Sequence, residues 1–345
     1  MSGITYIGSF PPPYGGVTVK NSLLYKNLLR RFDVDKINLV DVKSHKFSVM
    51  IGLASALVSK SGTLVVGASA EWRRRITCFL YLFNRKKMAR SLLFFMGGKV
   101  PEDKNYVSKL GCFKRVYVET EGMRKVLERT GAQNVSVYPN CRERADASCE
   151  VGDIATRRSD RKSETLSCVY FSQISAIKGA AEVIGAARML PDVAFHFYGM
   201  VDDEFSDTFF SAVQDLSNVK YHGVFDSAKG DVIGELSLYD LHLFPTSWPH
   251  EGVPGVLVET KMAAVPSIVS DCCYNKELVL DGVDGVVLTK TTTENLAKAI
   301  RFLQIDRDFL DRMKAAAYES ANNFYIDHYL DRIMQDLEGG VCRWA

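Results

Sequence analysis

The sequence contains short apolar runs that alternate with helical or loop stretches along most of its length. The runs are ITYIG, KINLV, TLVVG, SLLFFMG, RVYVET and VSVYP in the first part, then SCVYFS, VAFHFYG, VKYHG, LHLFP, PSIVSD and GVVL. Apolar strands separated by helices favour parallel sheets that are covered by helices on both faces. The sequence therefore predicts an α/β fold with two doubly wound sheets.

The two groups of strands are separated by a segment of different composition. Residues 143–165 have little apolar content and many charges, which is typical of a linker or an exposed hairpin. A chain of 345 residues with 47% hydrophobic content is also long enough for two cores of ordinary size. We therefore expect one domain over residues 1–160 and a second domain from residue 161 onward.

The stretch TSWPHEGVPGVLVETKMAAVPSIVSD, residues 246–271, has the character of a binding site. A short buried strand at 241–245 precedes a polar loop, and Pro254 is predicted at the first position of a helix, where its missing N–H is harmless. Free backbone N–H groups at Gly252 and from Gly255 onward could then receive a phosphate or a sugar hydroxyl.

Two carboxylates, Glu251 and Glu259, lie eight positions apart in this stretch. Eight residues span a little over two helical turns, so Glu259 is expected on the same broad side as the loop that carries Glu251. One carboxylate could meet the reacting end of a ligand and the other a diol farther away. In the alternative, both are ordinary solvated charges. The apolar helix around Glu259 favours the first interpretation, because a carboxylate in such a segment needs a partner.

The segment EGVPGVLVETKMAAVPSIVSD resembles the donor-site signature of retaining glycosyltransferases of the GT-B fold, specifically glycosyltransferase family four, also called glycosyl transferases group 1. Two positions depart from the signature. Thr260 stands where a small alanine is common, and Val265 stands where glycine is common, just before Pro266. That glycine usually eases a tight turn from helix to strand.

Other segments follow the order of the same family. They are ITYIGSFPPPYGGVTVKNSLLYKNLL near the start, VSVYPNCRE, LSCVYFSQISAIKGAAEVIGAARML and DGVDGVVL at 281–288. The resemblance covers most of the chain and implies a GT-B fold, with two Rossmann-like doubly wound domains that face each other across a cleft. It implies an acceptor-side domain at 1–160, a nucleotide-sugar-binding domain at 161–324, and a C-terminal helix at about 325–345 that packs back on the first domain.

The resemblance also implies a chemistry. The family transfers a sugar, with retention, from a nucleotide diphosphate sugar to a saccharide or lipid-linked acceptor, as in the synthesis of envelope polysaccharides and glycoconjugates. For this chain it implies a hexosyltransferase-type enzyme that needs no metal or cofactor, with Lys178 and Glu251 as catalytic residues and Glu259 on the ribose diol. The implied donor contacts are Gly15, Gly16, Gln173, Lys178, Glu251, Gly252, Val253, Pro254, Gly255 and Glu259.

One departure bears on diphosphate binding. The family carries an arginine five positions before the loop lysine, and here that position is Gln173. A glutamine donates hydrogen bonds but brings no charge, so diphosphate binding is expected to be weaker or to use another cation. Lys178 alone could also be a solvent-facing loop lysine. Asp202 and Asp203 could form a metal-binding pair, but an exposed acidic loop is the better interpretation.

Two other functions remain open at this stage. The same fold serves non-hydrolysing sugar-nucleotide epimerases, which need a donor site but no separate acceptor. A non-catalytic sugar-nucleotide-binding protein is the second alternative, and the absence of the arginine at Gln173 favours it. Donor base, whether uridine or guanosine, and acceptor identity are not readable from the sequence.

The cysteines and apolar runs bear on the compartment. The eight cysteines form no C-x-x-C pair, and Cys78, Cys168, Cys272 and Cys273 have apolar neighbours, so they are predicted to be reduced core thiols of a cytoplasmic protein. The longest apolar run, residues 49–58, is too short to span a bilayer, and the N-terminus opens on a strand-like sequence rather than a charged leader.

The charge is distributed unevenly. Residues 1–164 carry 29 Lys and Arg against 15 Asp and Glu, whereas residues 165–345 carry 14 against 26. Most of the basic excess lies in residues 72–115, interleaved with aromatic residues. Peripheral contact with an anionic membrane is the favoured interpretation, on the inner face of the membrane. A core helix with solvated basic ends is the alternative, and nucleic acid is disfavoured because no binding motif accompanies the charge.

Overall fold

The computed structural model describes residues 3–12, 15–144, 165–226 and 230–338. It divides into two compact units, of which the first comprises Met1–Glu143 and Phe324–Ala345 and the second Arg144–Asn323. The predicted domain boundary at residue 160 and most of the predicted linker lie outside the described residues.

The first unit alternates strands and helices from its start. Its strands are β1 (Ile4–Gly8), β2 (Val34–Asn38), β3 (Thr63–Ala68), β4 (Leu92–Phe95), β5 (Arg115–Val118) and β6 (Val135–Val137). Its helices are α1 (Gly16–Leu29), α2 (Lys46–Val58), α3 (Ala70–Phe83), α4 (Arg85–Met88), α5 (Lys104–Leu110) and α6 (Glu121–Thr130), with a 3-10 helix at Leu39–Lys43.

All strands of the first unit pair in parallel in the order β2-β1-β3-β4-β5-β6. The central strands β3 and β4 are buried at every position, as expected for strands covered by helices on both faces. The chain winds away from β1 in opposite directions, toward β2 on one side and β3 on the other. Loops at the carboxyl end of such a switch point form the usual ligand crevice in doubly wound sheets.

The first unit also contains the last described helix of the chain, α14 (Asp327–Glu338), which belongs to its C-terminal part, Phe324–Ala345. Ile333, Met334 and Leu337 are buried in the same core cluster as side chains of β1 and α1. The carboxylate of the neighbouring Asp336 accepts hydrogen bonds from Arg115 Nε at 2.9 Å and Tyr117 Oη at 2.8 Å. Burial works to raise the pKa of Asp336, but the hydrogen bonds from Arg115 and Tyr117 outweigh it and hold that pKa below its usual value.

The second unit repeats the alternation. Its strands are β7 (Ser167–Phe171), β8 (Ala194–Tyr198), β9 (Val219–Tyr221), β10 (Leu241–Phe244), β11 (Ser267–Ser270) and β12 (Gly285–Leu288). Its helices are α7 (Ala180–Met189), α8 (Ser206–Asp215), α9 (Val232–Leu236), α10 (Gly255–Met262), α11 (Asn275–Leu278), α12 (Thr293–Ile305) and α13 (Arg307–Ser320), with 3-10 helices at Ala176–Lys178, Asp203–Phe205 and Ala321–Phe324.

The second sheet is also parallel, in the order β12-β11-β10-β7-β8-β9. Its first strand, β7, lies between β10 and β8, so the switch point falls between β7 and β10. The largest core cluster of this unit packs α7, α8 and α12 against the sheet. The predicted α/β class with two doubly wound sheets is confirmed, and the loops after β7 and β10 are placed together.

The turn after α10 differs from the prediction. Val265 was expected to replace a glycine, but the residue with left-handed backbone is Ala264, with φ 53°. The Val265 N–H donates a hydrogen bond to the Thr260 carbonyl at 2.8 Å, and the Ala264 N–H donates to the Lys261 carbonyl at 2.9 Å. These two hydrogen bonds form the Schellman motif. The glycine-preferring position is therefore one residue earlier, because the left-handed residue of this motif directly follows the C-cap.

Every helix in the described ranges is too short or too polar to pass through a lipid bilayer.

Candidate functional site

Two loops at the carboxyl ends of β7 and β10 form the candidate site. The first loop is fixed by Tyr170, whose buried hydroxyl donates to the carbonyls of Gln173 at 2.7 Å and Lys178 at 3.2 Å. Gly179 then takes φ 80°, and a Cβ atom there would lie 2.3 Å from the Pro245 carbonyl oxygen. Only glycine permits the loop to approach the end of β10 so closely.

Lys178 and Glu251 are brought together by these loops. The Lys178 ammonium donates directly to Glu251 Oε1, and the two side chains are 17% and 12% exposed. The ammonium also lies 5.7 Å from the ring centroid of Trp248. A lysine and a carboxylate that are partly shielded from water interact more strongly than a surface pair, and both are accessible from solvent.

Thr246 supports this ion pair from the end of β10. Its buried hydroxyl donates to Glu251 Oε1 at 3.2 Å and accepts the Trp248 N–H at 3.1 Å. The hydroxyl thus links the carboxylate to the backbone of its own loop. The sequence analysis missed Thr246 and Trp248, although their position immediately after a buried parallel strand could have indicated them.

The N-terminus of α10 adjoins Glu251. Pro254 is the N-cap residue, with φ −60° and ψ 127°, and the helix begins at Gly255, so the predicted first helical position of Pro254 is one residue too early. Gly252 and Val253, which precede the cap, are buried. The N–H groups in the first turn have no carbonyl four residues earlier within the helix, which makes this end electropositive.

Glu259 lies in the second turn of α10 and is half-buried. The helix buries Leu257 and Val258 just before it and Thr260 just after it. That Glu259 lies on the same side as the Glu251 loop and contacts a diol stays a prediction. The direct ion pair of the site joins Lys178 to Glu251.

Gln173 is engaged with the acidic loop after β8. Its Nε2 donates to Asp202 Oδ2 at 3.2 Å, and Asp202 Oδ1 accepts the Glu204 N–H at 3.1 Å as the cap of a 3-10 helix. Asp202 is therefore half-buried and caps this short helix, whereas Asp203 is exposed. The neutral Gln173 side chain leaves no second cation at the position that the family gives to arginine.

Cys272 and Cys273 lie beside the same loop, after β11. Both are half-buried, their sulfur atoms are 3.6 Å apart, and they lie 3.4 and 3.5 Å from the Trp248 carbonyl oxygen. The prediction of core thiols was therefore wrong for this pair, because both follow the strand end rather than lying within the sheet. It was also wrong for Cys78 on α3, which is half-buried. Burial, together with the Cys273 thiol, raises the pKa of Cys272 to about 12.

Gly15 and Gly16 belong to the first unit. Gly15 is the N-cap residue of α1, and its N–H donates to Thr18 Oγ1 at 2.9 Å. Both glycines are at the carboxyl end of β1, where the order of the first sheet reverses. Their predicted contact with phosphate stays a prediction.

In the part of the chain that the structure describes, no group of three His, Cys, Asp or Glu side chains could hold a metal ion. The described cysteines are all free thiols, at positions 78, 112, 141, 168, 272 and 273. Among the described histidines, His196 lies on the sheet beside His222, with Nδ1 of His196 2.9 Å from Nε2 of His222.

The sequence of the second unit matches a known family. Residues 154–320 match the sequence model of glycosyl transferases group 1. The second unit belongs to this family. The match includes Lys178, Glu251 and the α10 segment, so the ion pair lies within the region that defines a glycosyl transferases group 1 domain.

Solved structures extend the similarity to both units. HepE of Anabaena in complex with UDP is 16% identical, with a TM-score of 0.71, over 98% of this chain and 100% of that one. Sucrose-phosphate synthase from Thermosynechococcus elongatus is 13% identical, with a TM-score of 0.74 and coverages of 98% and 100%. Pneumococcal O-GlcNAc transferase GtfA in complex with UDP and GlcNAc is 17% identical, with a TM-score of 0.63 and coverages of 85% and 60%.

These likenesses confirm the predicted GT-B fold. No curated protein matches the chain in sequence. The narrower assignment to family four stays a prediction.

Proposed function

We propose that this protein is a retaining glycosyltransferase that moves a sugar from a uridine diphosphate sugar to a saccharide or lipid-linked acceptor. The observation that carries the proposal is the Lys178–Glu251 ion pair, built at the switch point of a glycosyl transferases group 1 domain. Uridine is proposed because similar structures were solved with UDP and with UDP-glucose.

The diphosphate end of the donor would use the positive charge of the site. Lys178 supplies an ammonium group, and the N-terminus of α10 supplies backbone N–H groups and the positive end of a helix dipole. A diphosphate offers the ammonium a second anionic partner beside Glu251. Both groups stabilise charge that accumulates on the leaving diphosphate, and such fixed donors are a large part of catalysis by electrostatics.

The sugar end would lie against Glu251. Its carboxylate is held by Lys178 and Thr246, so its orientation is fixed before a sugar binds. A carboxylate accepts hydrogen bonds from sugar hydroxyls and stabilises positive charge at the anomeric carbon. Glu259, farther along α10, would accept the two hydroxyls of the ribose.

The proposed reaction retains the anomeric configuration. The bond between the anomeric carbon and the phosphate oxygen breaks, and both electrons go to the diphosphate. The acceptor hydroxyl oxygen forms the new bond on the same face, and its proton passes to the phosphate oxygen that leaves. No enzyme nucleophile is needed, and the diphosphate serves as the base.

A panel of UDP-sugars tests the proposal directly. The full chain is incubated with each sugar nucleotide, with and without candidate saccharide acceptors, and free UDP and product anomers are measured by NMR. Acceptor-dependent release of UDP with a retained anomer is the expected result. Inversion would contradict the retaining mechanism, and isomerisation of the donor without release would identify an epimerase.

Variants of the site separate donor binding from folding. Glu259→Gln is expected to weaken UDP binding, because a neutral amide accepts the ribose hydroxyls less strongly than a carboxylate. Glu204→Gln is the matched control, since Glu204 is exposed in the same unit. Equal UDP affinity in the Glu259 variant and its control would remove Glu259 from the donor site.

A non-catalytic sugar-nucleotide-binding protein is a second candidate, favoured by the bond between Gln173 and Asp202. This bond occupies the side chain that stands in place of a cationic phosphate ligand. Binding of UDP-sugars without turnover across the acceptor panel would select this candidate over transfer.

The remaining features of the proposal follow from the resemblance. They are a hexosyl donor, a metal-independent reaction, a role in envelope polysaccharide or glycoconjugate synthesis, and action at the cytoplasmic face of a membrane without binding nucleic acid. Turnover in the presence of a chelator tests metal independence, and loss of the reaction would contradict it.

A further inference from the structure

An exposed apolar surface covers one side of the first unit. It consists of Phe47, Met50, Ile51 and Val58 on α2 with Leu82 and Phe83 at the end of α3, and we call it the α2–α3 surface. The exposed fractions of these side chains run from 40% at Met50 to 85% at Phe47. Large apolar side chains that are exposed together mark interaction sites in most soluble domains.

The geometry of α2 makes the surface continuous. Phe47, Ile51 and Val58 are separated by four and seven residues, so they lie along one stripe of the helix. Leu53 and Leu57 lie on a different side, about 120° around the helix, and are the residues of α2 that are buried. The helix therefore turns one apolar side into the unit and another outward, whereas an ordinary surface helix is polar on its outer side.

The end of α3 is attached to the end of α2. Asn84, which follows Phe83, donates from Nδ2 to the carbonyls of Leu57 at 2.9 Å and Ser59 at 3.1 Å. These hydrogen bonds hold Phe83 next to the C-terminus of α2. The α2–α3 surface is thus a fixed feature of two packed helices and not a set of unrelated residues.

Exposed basic residues flank this surface along the chain, and we call them its basic border. Lys46 precedes Phe47, Lys60 follows Val58 by two residues, and Arg85 and Lys86 follow Phe83; all four are exposed. Between residues 42 and 101 the chain has 11 Lys and Arg and a single acidic residue, Glu71. An apolar surface with a basic border is complementary to an anionic interface that has an apolar interior.

Two cations of the predicted membrane segment at 72–115 are buried in the first unit. Arg73 is buried and its guanidinium lies 3.6 Å from the centroid of the Phe95 ring, while Lys87 is buried and donates to the Ser61 carbonyl at 2.9 Å. Both cations therefore make contacts inside the first unit and are not available to a membrane surface. Four of the six exposed apolar side chains are on α2, which precedes the predicted segment.

We propose that the α2–α3 surface docks on an anionic lipid bilayer, with Phe47, Ile51 and Phe83 in the headgroup region and the basic border on lipid phosphates. A second copy of the chain is a poorer occupant, because two copies would bring the same basic borders together. The inference does not depend on glycosyl transfer, since docking and UDP release are measured separately.

Vesicle flotation tests the proposal with the full chain. Vesicles of phosphatidylcholine are compared with vesicles that also contain phosphatidylglycerol, at low and high salt. Binding to the anionic vesicles that decreases with salt is expected, because salt screens the contacts of the basic border. An absence of binding to anionic vesicles at low salt overturns the proposal.

A matched pair of double variants locates the surface. Phe47→Ser with Ile51→Ser is expected to weaken vesicle binding about tenfold or more, because each residue loses its burial in the lipid. Phe302→Ser with Ile305→Ser is the control, since these residues are similarly exposed on α12 of the second unit. Both double variants replace exposed side chains, and thermal unfolding checks that each is folded.

The outcomes are distinct. Equal binding by the wild type and the α2 variant overturns the assignment to the α2–α3 surface, even if the protein binds vesicles. Equal loss in the α2 and α12 variants also overturns it, because general hydrophobicity then explains the binding. Loss of vesicle binding in the α2 variant with normal UDP affinity supports it.

Discussion

Lys261 and Asp284 form a buried ion pair that attaches α10 to the turn before β12. The Lys261 ammonium lies 2.5 Å from Asp284 Oδ2 and also donates to Ser320 Oγ at 2.8 Å, and the side chains are 4% and 8% exposed. Burial lowers the pKa of Lys261, and Asp284 opposes that shift. The pair therefore fixes the helix that begins beside Glu251 and carries Glu259.

Removal of the lysine alone tests this pair. Lys261→Met is expected to destabilise the protein by about 3–5 kcal/mol, because it leaves a buried carboxylate without its partner. The midpoint of urea unfolding, followed by circular dichroism, measures the change. The double variant Lys261→Met with Asp284→Asn should recover most of the loss, since asparagine can still accept the Leu280 N–H that Asp284 Oδ1 accepts at 2.7 Å. An equal decrease in the urea midpoint in the single and the double variant would contradict the idea that the unpaired Asp284 charge destabilises the fold.

The turn after α10 predicts a stabilising substitution. Ala264 has φ 53°, and an L-residue in this conformation costs roughly 1–2 kcal/mol relative to glycine. Ala264→Gly is therefore expected to raise the urea midpoint. Ala263→Gly is the control, because Ala263 has φ −78° and gains nothing from glycine. A lower midpoint for the Ala264 variant would show that the strain is absent.

His242 predicts an acid sensitivity of the fold. It is fully buried on β10, its Nδ1 lies 3.0 Å from Ser267 Oγ, and burial lowers its pKa to about 3. The unfolded imidazole binds a proton near pH 6.5, so between these values the unfolded state binds more protons and stability decreases as the pH falls. For this one group the loss between pH 7 and pH 5 is about 2 kcal/mol.

The substitution His242→Asn isolates that effect. The amide can keep the bond to Ser267 but does not titrate, so the decrease in melting temperature from pH 7 to pH 5 should be smaller in the variant than in the wild type. Other titrating groups contribute equally to both proteins. An equal decrease in melting temperature in the two proteins would indicate that His242 is protonated to the same extent in the folded and unfolded states.

Thr246 predicts a positioning effect on the proposed transfer. Thr246→Val removes the hydroxyl that donates to Glu251 and accepts the Trp248 N–H, and is expected to lower kcat about tenfold or more, in proportion to the loss of one hydrogen bond to a charged group. Thr246→Ser keeps both bonds and should retain most of the activity. UDP release measures both, and equal activity of the valine and serine variants would contradict the role.

Gln173 predicts a limit on donor affinity. Gln173→Arg alone is expected to change UDP affinity little, because Asp202 accepts from the present amide and would pair with the new guanidinium. Combined with Asp202→Asn, which can still cap the 3-10 helix, the arginine should raise UDP affinity about tenfold. Calorimetric titration of UDP compares the variants. An equal gain in UDP affinity in the single and the double variant would show that Asp202 does not restrain the guanidinium.

Much of the architecture could be predicted because it depends on local pattern. Each of the twelve apolar runs overlaps one parallel strand, and the central strands are largely apolar because helices cover them on both faces. A common site for Lys178 and Glu251 was implied by the family resemblance. The structure supplies the physical reason, because the carboxyl ends of neighbouring parallel strands share an edge. The start of α10 was one residue late relative to the prediction, within the usual uncertainty of helix ends.

The features that the sequence did not reveal depend on contacts between distant positions. Lys261 lies 23 residues before Asp284 in the sequence, and only the fold brings the two side chains together. Arg73 and Lys87 likewise appear as surface charges in the sequence because their partners, Phe95 and Ser61, are more than twenty residues away. The outward apolar stripe of α2 was hidden in the same way, since periodicity cannot tell which face of an apolar helix is covered.

The return of α14 to the first unit affects the order in which the chain can mature. Because Ile326, Ile333, Met334 and Leu337 complete a core whose other buried side chains precede residue 142, the ribosome releases the whole second unit before it releases the last piece of the first. The second unit is thus inserted between the two parts of the first unit and can fold during synthesis. The first unit cannot complete its core until α14 has been synthesised. Deletions that remove α14 should accordingly damage the unit that is translated first.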